Sequence, residues 1–324
     1  MNMKELLKGL IPPVVVSLCR HLLRNPVRQD SFLMGAVPIL LPKDHALPQY
    51  RKRWRLYDEP LRHISDALRG LYKDFCAIDI GANVGDSAAV INAGGQTPVL
   101  CIEGDPVYYP YLEHNGKLLG SHVVIEKCFV GEEQKWVNPA LLQRHSGTTS
   151  GLNALRTAAA TGLPVSRLES IVARHPAFDQ CQLIKIDTDG YDFDIILAHL
   201  RYLSKTKPVL FFEYLLDLTK QTSDKSLQCT HELERLGYSR FMVFDNFGHF
   251  LLSTNSSATF RELNLYLLSN ATYGTAVYYL DVCAIPDQYR GVGDRVKQTI
   301  TELVAYSSRR FTDSDESCQQ LGFP

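Results

Sequence analysis

From Phe75 onward, short apolar runs alternate with amphipathic stretches, a rhythm that predicts a parallel sheet covered by helices on both faces. "FCAIDI", "PVLCIEG" and "HVVIEKCFV" read as the first three strands, with helices in "GDSAAVINAG" and "YYPYLEHNGKLLG" between them. A polar insert rich in Ser, Thr and Gly follows. After it come a helix in "SRLESIVARHP", a strand in "QLIKIDTDG", a helix over "YDFDIILAHLRYL" and a strand in "KPVLFFEY". The pattern then changes. "YSRFMVFDNFGHFLLS" predicts two strands joined by a turn at Asn246 to Gly248, "FRELNLYLLSN" a helix, and "AVYYLDVCAIP" a last strand. A hairpin relation at the end of a parallel sheet implies one antiparallel member.

The flanks read differently. Residues 1–70 form an extension, with two short helices around Pro12 and Pro13, an apolar stretch "FLMGAVPILLP" turning at Gly35, and a helix from about Asp58. There "DEP" places acids and a proline at a helix start. Residues 71–286 make up the α/β domain, and residues 287–324 a polar surface helix with a frayed tail.

Within the first strand-to-helix junction, "CAIDIGANVGDSAAVI" interrupts an apolar run with Gly81, Asn83 and Gly85. Such a turn lies at the carboxyl end of a parallel strand, where open α/β sheets bind ligands, and glycines admit close approach to the backbone. The second strand ends "CIEGDP". Its Glu103, 18 residues after Gly85, stands where a carboxylate accepts hydrogen bonds from both ribose hydroxyls. The two features together predict a nucleoside ligand. A dinucleotide fingerprint needs glycine at its first, third and sixth positions, with the pyrophosphate on the helix N-terminus. Here Asn83 takes the third place and Asp86 follows Gly85, and a carboxylate there repels a pyrophosphate. It is compatible with a cofactor carrying a sulfonium and an ammonium, so the loop fits S-adenosylmethionine better than NAD.

Composition narrows the class. Over 324 residues the formal net charge is −1, which provides no field to recruit nucleic acid, so no nucleic-acid partner is expected. The basic cluster "RKRWR" at Arg51 to Arg55 stands without a second one and reads as a solvated face. Eight cysteines are scattered singly, with no CxxC pair, which argues against zinc or a disulfide framework and suits a reducing compartment. The N-terminal stretch Leu10 to Leu18 is broken by Pro12 and Pro13 and is shorter than the roughly 20 residues a membrane span needs. A soluble, cytoplasmic protein is expected. Leucines alternating with Lys4, Lys8, Arg20 and Arg24 predict that this segment docks on the domain or makes peripheral contact with a membrane.

"FCAIDIGANVGDSA", "LCIEGDP", "SRLESI" and "LIKIDTDGYDFDIILA" followed by "PVLFFEY" resemble the FkbM-type family of S-adenosylmethionine-dependent methyltransferases, over roughly Asp58 to Gly248. The resemblance implies a class I methyltransferase fold, Rossmann-like, with a mostly parallel seven-stranded sheet whose last strand is antiparallel. It also implies O-methylation of a sugar or natural-product hydroxyl, with a small-molecule or glycan acceptor. The chain departs from the family pattern at Asp189 and Asp192, where Glu is usual, and at Gly104, where Pro is usual.

The candidate cofactor-binding residues are Asp79, Gly81, Asn83, Gly85, Glu103 and Asp187; the candidate catalytic residues are Asp187, Glu213 and His145. Asp187 ends the fourth strand on the rim shared with Gly81 and Glu103. Lys185 points to the same side, and a lysine in a buried strand requires an acidic partner. Glu213 ends the fifth strand on that rim. In "KIDTDGYDFD", Asp189 reads as a helix cap, Asp192 as completing a capping box and Asp194 as solvated, so no metal site is expected. The loop from Arg144 to Arg156 is placed to close over the site, bringing His145 and Arg156 toward a substrate. Two other functions stay open: a nicotinamide-dependent dehydrogenase or epimerase, and a non-catalytic binding module on the methyltransferase fold.

Overall fold

The computed structural model describes residues 30–35, 37–145, 147–150, 155, 157–217 and 219–320. The predicted helices around Pro12 and Pro13 and the docking segment Lys4 to Arg24 lie outside the described residues. The chain opens with an antiparallel hairpin, β1 (Asp30–Met34) and β2 (Val37–Leu41), turning at Gly35 as expected. Two helices follow, α1 (Leu47–Arg53) and α2 (Glu59–Leu71). Asp58 precedes α2 but does not cap it: its backbone is left-handed, and its carboxylate accepts from Arg51 Nη1 at 2.7 Å. Part of the basic cluster is thereby committed to an ion pair rather than to solvent.

The first half of the α/β unit runs β3 (Ala77–Ile80), α3 (Asp86–Asn92), β4 (Val99–Ile102), α4 (Tyr109–Leu119) and β5 (Val123–Glu126). "HVVIEKCFV" is not one strand. It leaves the main sheet after Glu126, and β6 (Phe129–Val130) joins β7 (Lys135–Val137) and β10 (Leu163–Ser166) in a small separate sheet. Between them, β8 (Gln143–His145) and β9 (Thr148–Ser150) form an antiparallel hairpin.

The second half comprises α5 (Leu168–Arg174), β11 (Leu183–Ile186), α6 (Asp192–Ala198), α7 (Leu200–Thr206), β12 (Val209–Leu215), α8 (Lys220–Arg235), β13 (Tyr238–Asp245), β14 (Phe250–Thr254), α9 (Phe260–Tyr273), β15 (Tyr279–Pro286) and α10 (Arg290–Gln320). The stretch expected as one helix over "YDFDIILAHLRYL" is two, broken at His199, whose ring accepts from Leu168 N and faces the Ile195 carbonyl. The expected C-terminal helix runs from Arg290 through Gln320, with residues 321–324 outside the described residues; it is not wholly a surface helix, since Val292 and Val296 on its first turns are fully buried.

The main sheet has the order β14-β13-β15-β12-β11-β3-β4-β5. β5, β4, β3, β11 and β12 are mutually parallel, and β15 runs antiparallel to both β12 and β13. This is the class I methyltransferase arrangement, with eight strands rather than seven because the hairpin partner β14 extends the edge. Side chains alternate between two cores. Ile78, Ile184, Leu210, Phe212 and Tyr214 enter one, while Ala77, Leu183, Val209, Phe211, Cys283 and Ile285 enter the other with α2, α3 and α10. Each fully buried aromatic or aliphatic side chain contributes about 1.5–3 kcal/mol. The exceptions on the second face are Asp79, Lys185, Glu213 and Asp281, which continue the period-2 positions of Ala77, Leu183, Phe211 and Cys283.

Candidate active site

The glycine loop forms as the sequence predicts, at the carboxyl end of β3. Gly81 and Gly85 adopt φ of +78° and +87°, and Asn83 adopts +47°. What comes close to the backbone at Gly81 is the protein itself: a Cβ there would sit 1.9 Å from the Asp187 carbonyl oxygen. Gly85 ends the loop as the residue before α3, with Leu112 packed against it.

Glu103 is almost fully buried beside this loop. Its Oε2 accepts from Asn83 N at 2.8 Å and its Oε1 from Asp105 N at 2.6 Å. Two backbone N–H groups thus fix the carboxylate and leave lone pairs for a ligand. Burial outweighs those bonds and pushes its pKa up to about 7. Glu103 lines a cavity with Gly81, Asn83, Tyr108, Phe129 and Asp187. Gly104 permits this wall, since a Cβ there would stand 2.5 Å from the Phe129 ring. Asn83, which also lines the cavity, gives its Nδ2 to the Gly147 carbonyl, while its buried Oδ1 has no partner among the described residues.

Lys185 lies between two acids as predicted, 3.3 Å from Asp79 and 3.2 Å from Asp187. Burial works against its charge, but Asp187, Asp79 and Asp86 outweigh it and hold the ammonium well above its usual pKa. Asp79 is completely buried and does not reach the cavities. Its partner among the described residues is Lys185. Asp187, by contrast, is half-exposed and lines three adjoining cavities, the one beside Glu103 and two toward α1 and α2.

The acids after Asp187 do not act as caps. The chain stays left-handed at Asp189 and Gly190, so α6 starts only at Asp192, without a side-chain cap. Asp189 turns to the β8–β9 hairpin and bonds Thr148. Buried Asp192 accepts from Thr188 N, Thr188 Oγ1 and Glu213 N at 3.1, 2.6 and 3.2 Å, tying the end of β11 to β12. Asp194 is ion-paired with Lys225 at 2.6 Å rather than solvated. Among the described residues no group of His, Cys, Asp or Glu has the disposition of metal ligands.

The expected loop, between β7 and β10, is tied to the site by Arg144 and Thr149. Arg144 grips buried Asp105 at 2.7 and 2.9 Å, and Thr149 Oγ1 donates to the same carboxylate at 2.6 Å. His145 stands opposite Thr148 in the hairpin; its side chain and Arg156 lie outside the described residues. Several site residues escaped the sequence reading. His45, Tyr57, Asp58, Tyr279 and Asp281 line the cavities around Asp187. His45 Nδ1 accepts from Leu47 N, which assigns the proton to Nε2, buried and without a partner among the described residues. The one signal for Asp281 was an acid in an otherwise apolar strand.

The model of the FkbM methyltransferase domain matches residues 79–251, more than half of the chain and the whole of this site except its α1–α2 and β15 walls. The chain belongs to the FkbM methyltransferase family. Among solved structures, it is similar to an FkbM methyltransferase from Methylobacillus flagellatus KT at 20% identity, over 43% of this chain and 32% of that one, with a TM-score of 0.33. It thus spans about a third of that relative's length. A precorrin-6y C5,15-methyltransferase from Geobacter metallireducens GS-15 matches at 15% identity over 65% and 78% of the two chains, TM-score 0.31. Aeropyrum pernix fibrillarin, solved with S-adenosyl-L-methionine bound, matches at 10% identity over 56% and 65%, TM-score 0.31. No curated protein matches the sequence. Among the described residues no helix is long and apolar enough to cross a membrane.

Proposed function

We propose that the protein is an S-adenosylmethionine-dependent methyltransferase acting on a hydroxyl of a sugar or related polar small molecule. The observation that carries this reading is the shared cavity of Glu103, Asn83 and Asp187 at the carboxyl ends of β4, β3 and β11. Its donor and acceptor set fits the cofactor: Glu103 has free lone pairs for ribose hydroxyls, and the orphaned Asn83 Oδ1 takes one further donor. When bound, S-adenosylmethionine supplies an electrophilic methyl group on a sulfonium. Glu103 and Asn83 would hold the nucleoside, and Asp86 and Asp187 would face the cationic end.

The chain's own work is alignment and proton removal. Alignment of reacting atoms is worth several kcal/mol. Asp187 Oδ2, held 3.2 Å from the Lys185 ammonium, would take the acceptor hydroxyl's proton, and a positioned base contributes about 10²–10⁴-fold. Glu213 is the less suited base, because burial followed by Asp187 and Asp192 pushes its carboxyl toward the protonated form.

Calorimetry tests the cofactor. Wild type should bind S-adenosylhomocysteine and not NAD, and Glu103→Gln should weaken binding about ten-fold or more through a lost charged hydrogen bond. Heat with NAD alone refutes the reading. Asp187→Asn should leave melting in place and weaken cofactor binding less than Glu103→Gln does, while removing release of S-adenosylhomocysteine across a sugar panel.

A further inference from the structure

Beyond the rim that serves the cofactor, the acids continue in a row across the sheet. Ile186 pairs with Phe212, so Asp187 stands level with Glu213 on the next strand. Glu213 in turn pairs directly with Asp281 in the antiparallel β12–β15 ladder. Directly opposed side chains share one face with Cβ atoms about 4.5–5.5 Å apart, and like charges there repel. Neither Glu213 nor Asp281 makes an ion pair among the described residues, and Glu213 Oε2 is shut off from water without any hydrogen-bond partner. Both line one cavity with Tyr57, Phe211 and Tyr279.

The nearby cations are already engaged. Lys185 is held by Asp79 and Asp187, and Arg51 by Asp58. The cofactor's cationic end, set at Asp86 and Asp187, accounts for the pair only in part. With strands about 4.8 Å apart, Glu213 and Asp281 stand one and two strands beyond Asp187, roughly 5 and 10 Å away across the cavity they share. The carboxylates do not have the disposition of ligands around one metal ion. Carboxylates beside aromatic rings are the surroundings that favour an organic cation.

We propose that the methyl acceptor is itself an organic cation, a small polyhydroxylated molecule whose protonated amine is held by Glu213 and Asp281 while a hydroxyl faces Asp187. This rests on the methyl-transfer reading for the hydroxyl but not for the amine. In the free site, burial and then Asp187 push both carboxyls well above their ordinary range; a bound ammonium relieves that repulsion.

The test titrates three matched pairs, glucosamine against glucose, galactosamine against galactose and mannosamine against mannose, into the full chain with and without S-adenosylhomocysteine. The amine should bind about ten-fold or more tightly than its neutral partner in at least one pair, as a charged hydrogen bond implies. That preference should fall to about three-fold or less in Glu213→Gln, with Asp281→Asn repeating the test on the opposite strand and melting curves confirming the fold. No preference in any pair, or a preference intact in both variants, overturns the proposal. Failure of S-adenosylhomocysteine to bind would instead overturn the methyl-transfer reading, and the titrations without it would still decide the amine.

Discussion

Replacing Lys185 with Met removes the only compensation for a carboxylate with no access to water. The methionine keeps the length of the aliphatic stem, so packing changes little. Asp187, with 51% of its side chain exposed, regains solvent at little cost. Asp79 cannot, since it is 0% exposed and among the described residues has no partner but the ammonium. Stranding a buried charge would cost about 3–5 kcal/mol, but a carboxyl can escape by taking a proton. At pH 7.5 that escape costs at most about 5 kcal/mol, from an unfolded pKa near 3.9 and about 1.4 kcal/mol per unit. The wild type already bears part of this, because burial, only partly offset by Lys185, pushes Asp79 up to about 6. That share is about 3 kcal/mol by the same conversion, leaving about 2 kcal/mol for the substitution. The sign follows from linkage. A carboxyl whose folded pKa is raised destabilises above that pKa and is relieved as pH falls toward the unfolded value. At pH 5 both proteins carry nearly the same penalty, about 1.5 kcal/mol, and the difference should vanish. Denaturant melts of Lys185→Met at pH 5 and 7.5 measure it, and adding Asp79→Asn should recover most of the loss at pH 7.5. An equal cost at both pH values, or no recovery in the double variant, refutes the reasoning.

Two further outcomes are expected. Gly81→Ala should destabilise by about 2–5 kcal/mol, from left-handed strain plus a clash with the Asp187 backbone, whereas Gly85→Ala, which meets only the flexible end of Leu112, should cost less in denaturant melts. Arg144→Ala should loosen the β8–β9 hairpin, leaving Thr149 as its tie to Asp105, so that hydrogen exchange over residues 143–150 speeds up while β3 and β11 remain protected.

What the sequence discloses here is what lies within one or two elements. The strand "AIDI" followed by glycines, Glu103 at the next strand end, and Lys185 two residues before Asp187 are local patterns, and each lands where its spacing places it. Misreadings arise where a distant partner competes with a local one. Asp189 and Asp192 have the spacing of a capping box, yet Thr148 draws the first to the hairpin and Glu213 N draws the second across to β12. "HVVIEKCFV" has the composition of a single strand, but after Glu126 its partner changes from β4 to β10, a pairing set 36 residues downstream at Val165 opposite Phe129. Asp281 shows most clearly why part of the site was hidden. Alone in "AVYYLDVCAIP" it is one acid in an apolar strand; only the antiparallel register of β15 sets it against Glu213, 68 residues earlier in the chain. Two carboxyls directly opposed on one sheet face repel when both are ionised, and among the described residues neither makes an ion pair. It is this register, which no local pattern discloses, that brings Glu213 and Asp281 together in one cavity, and the amine titrations above test what the pair holds.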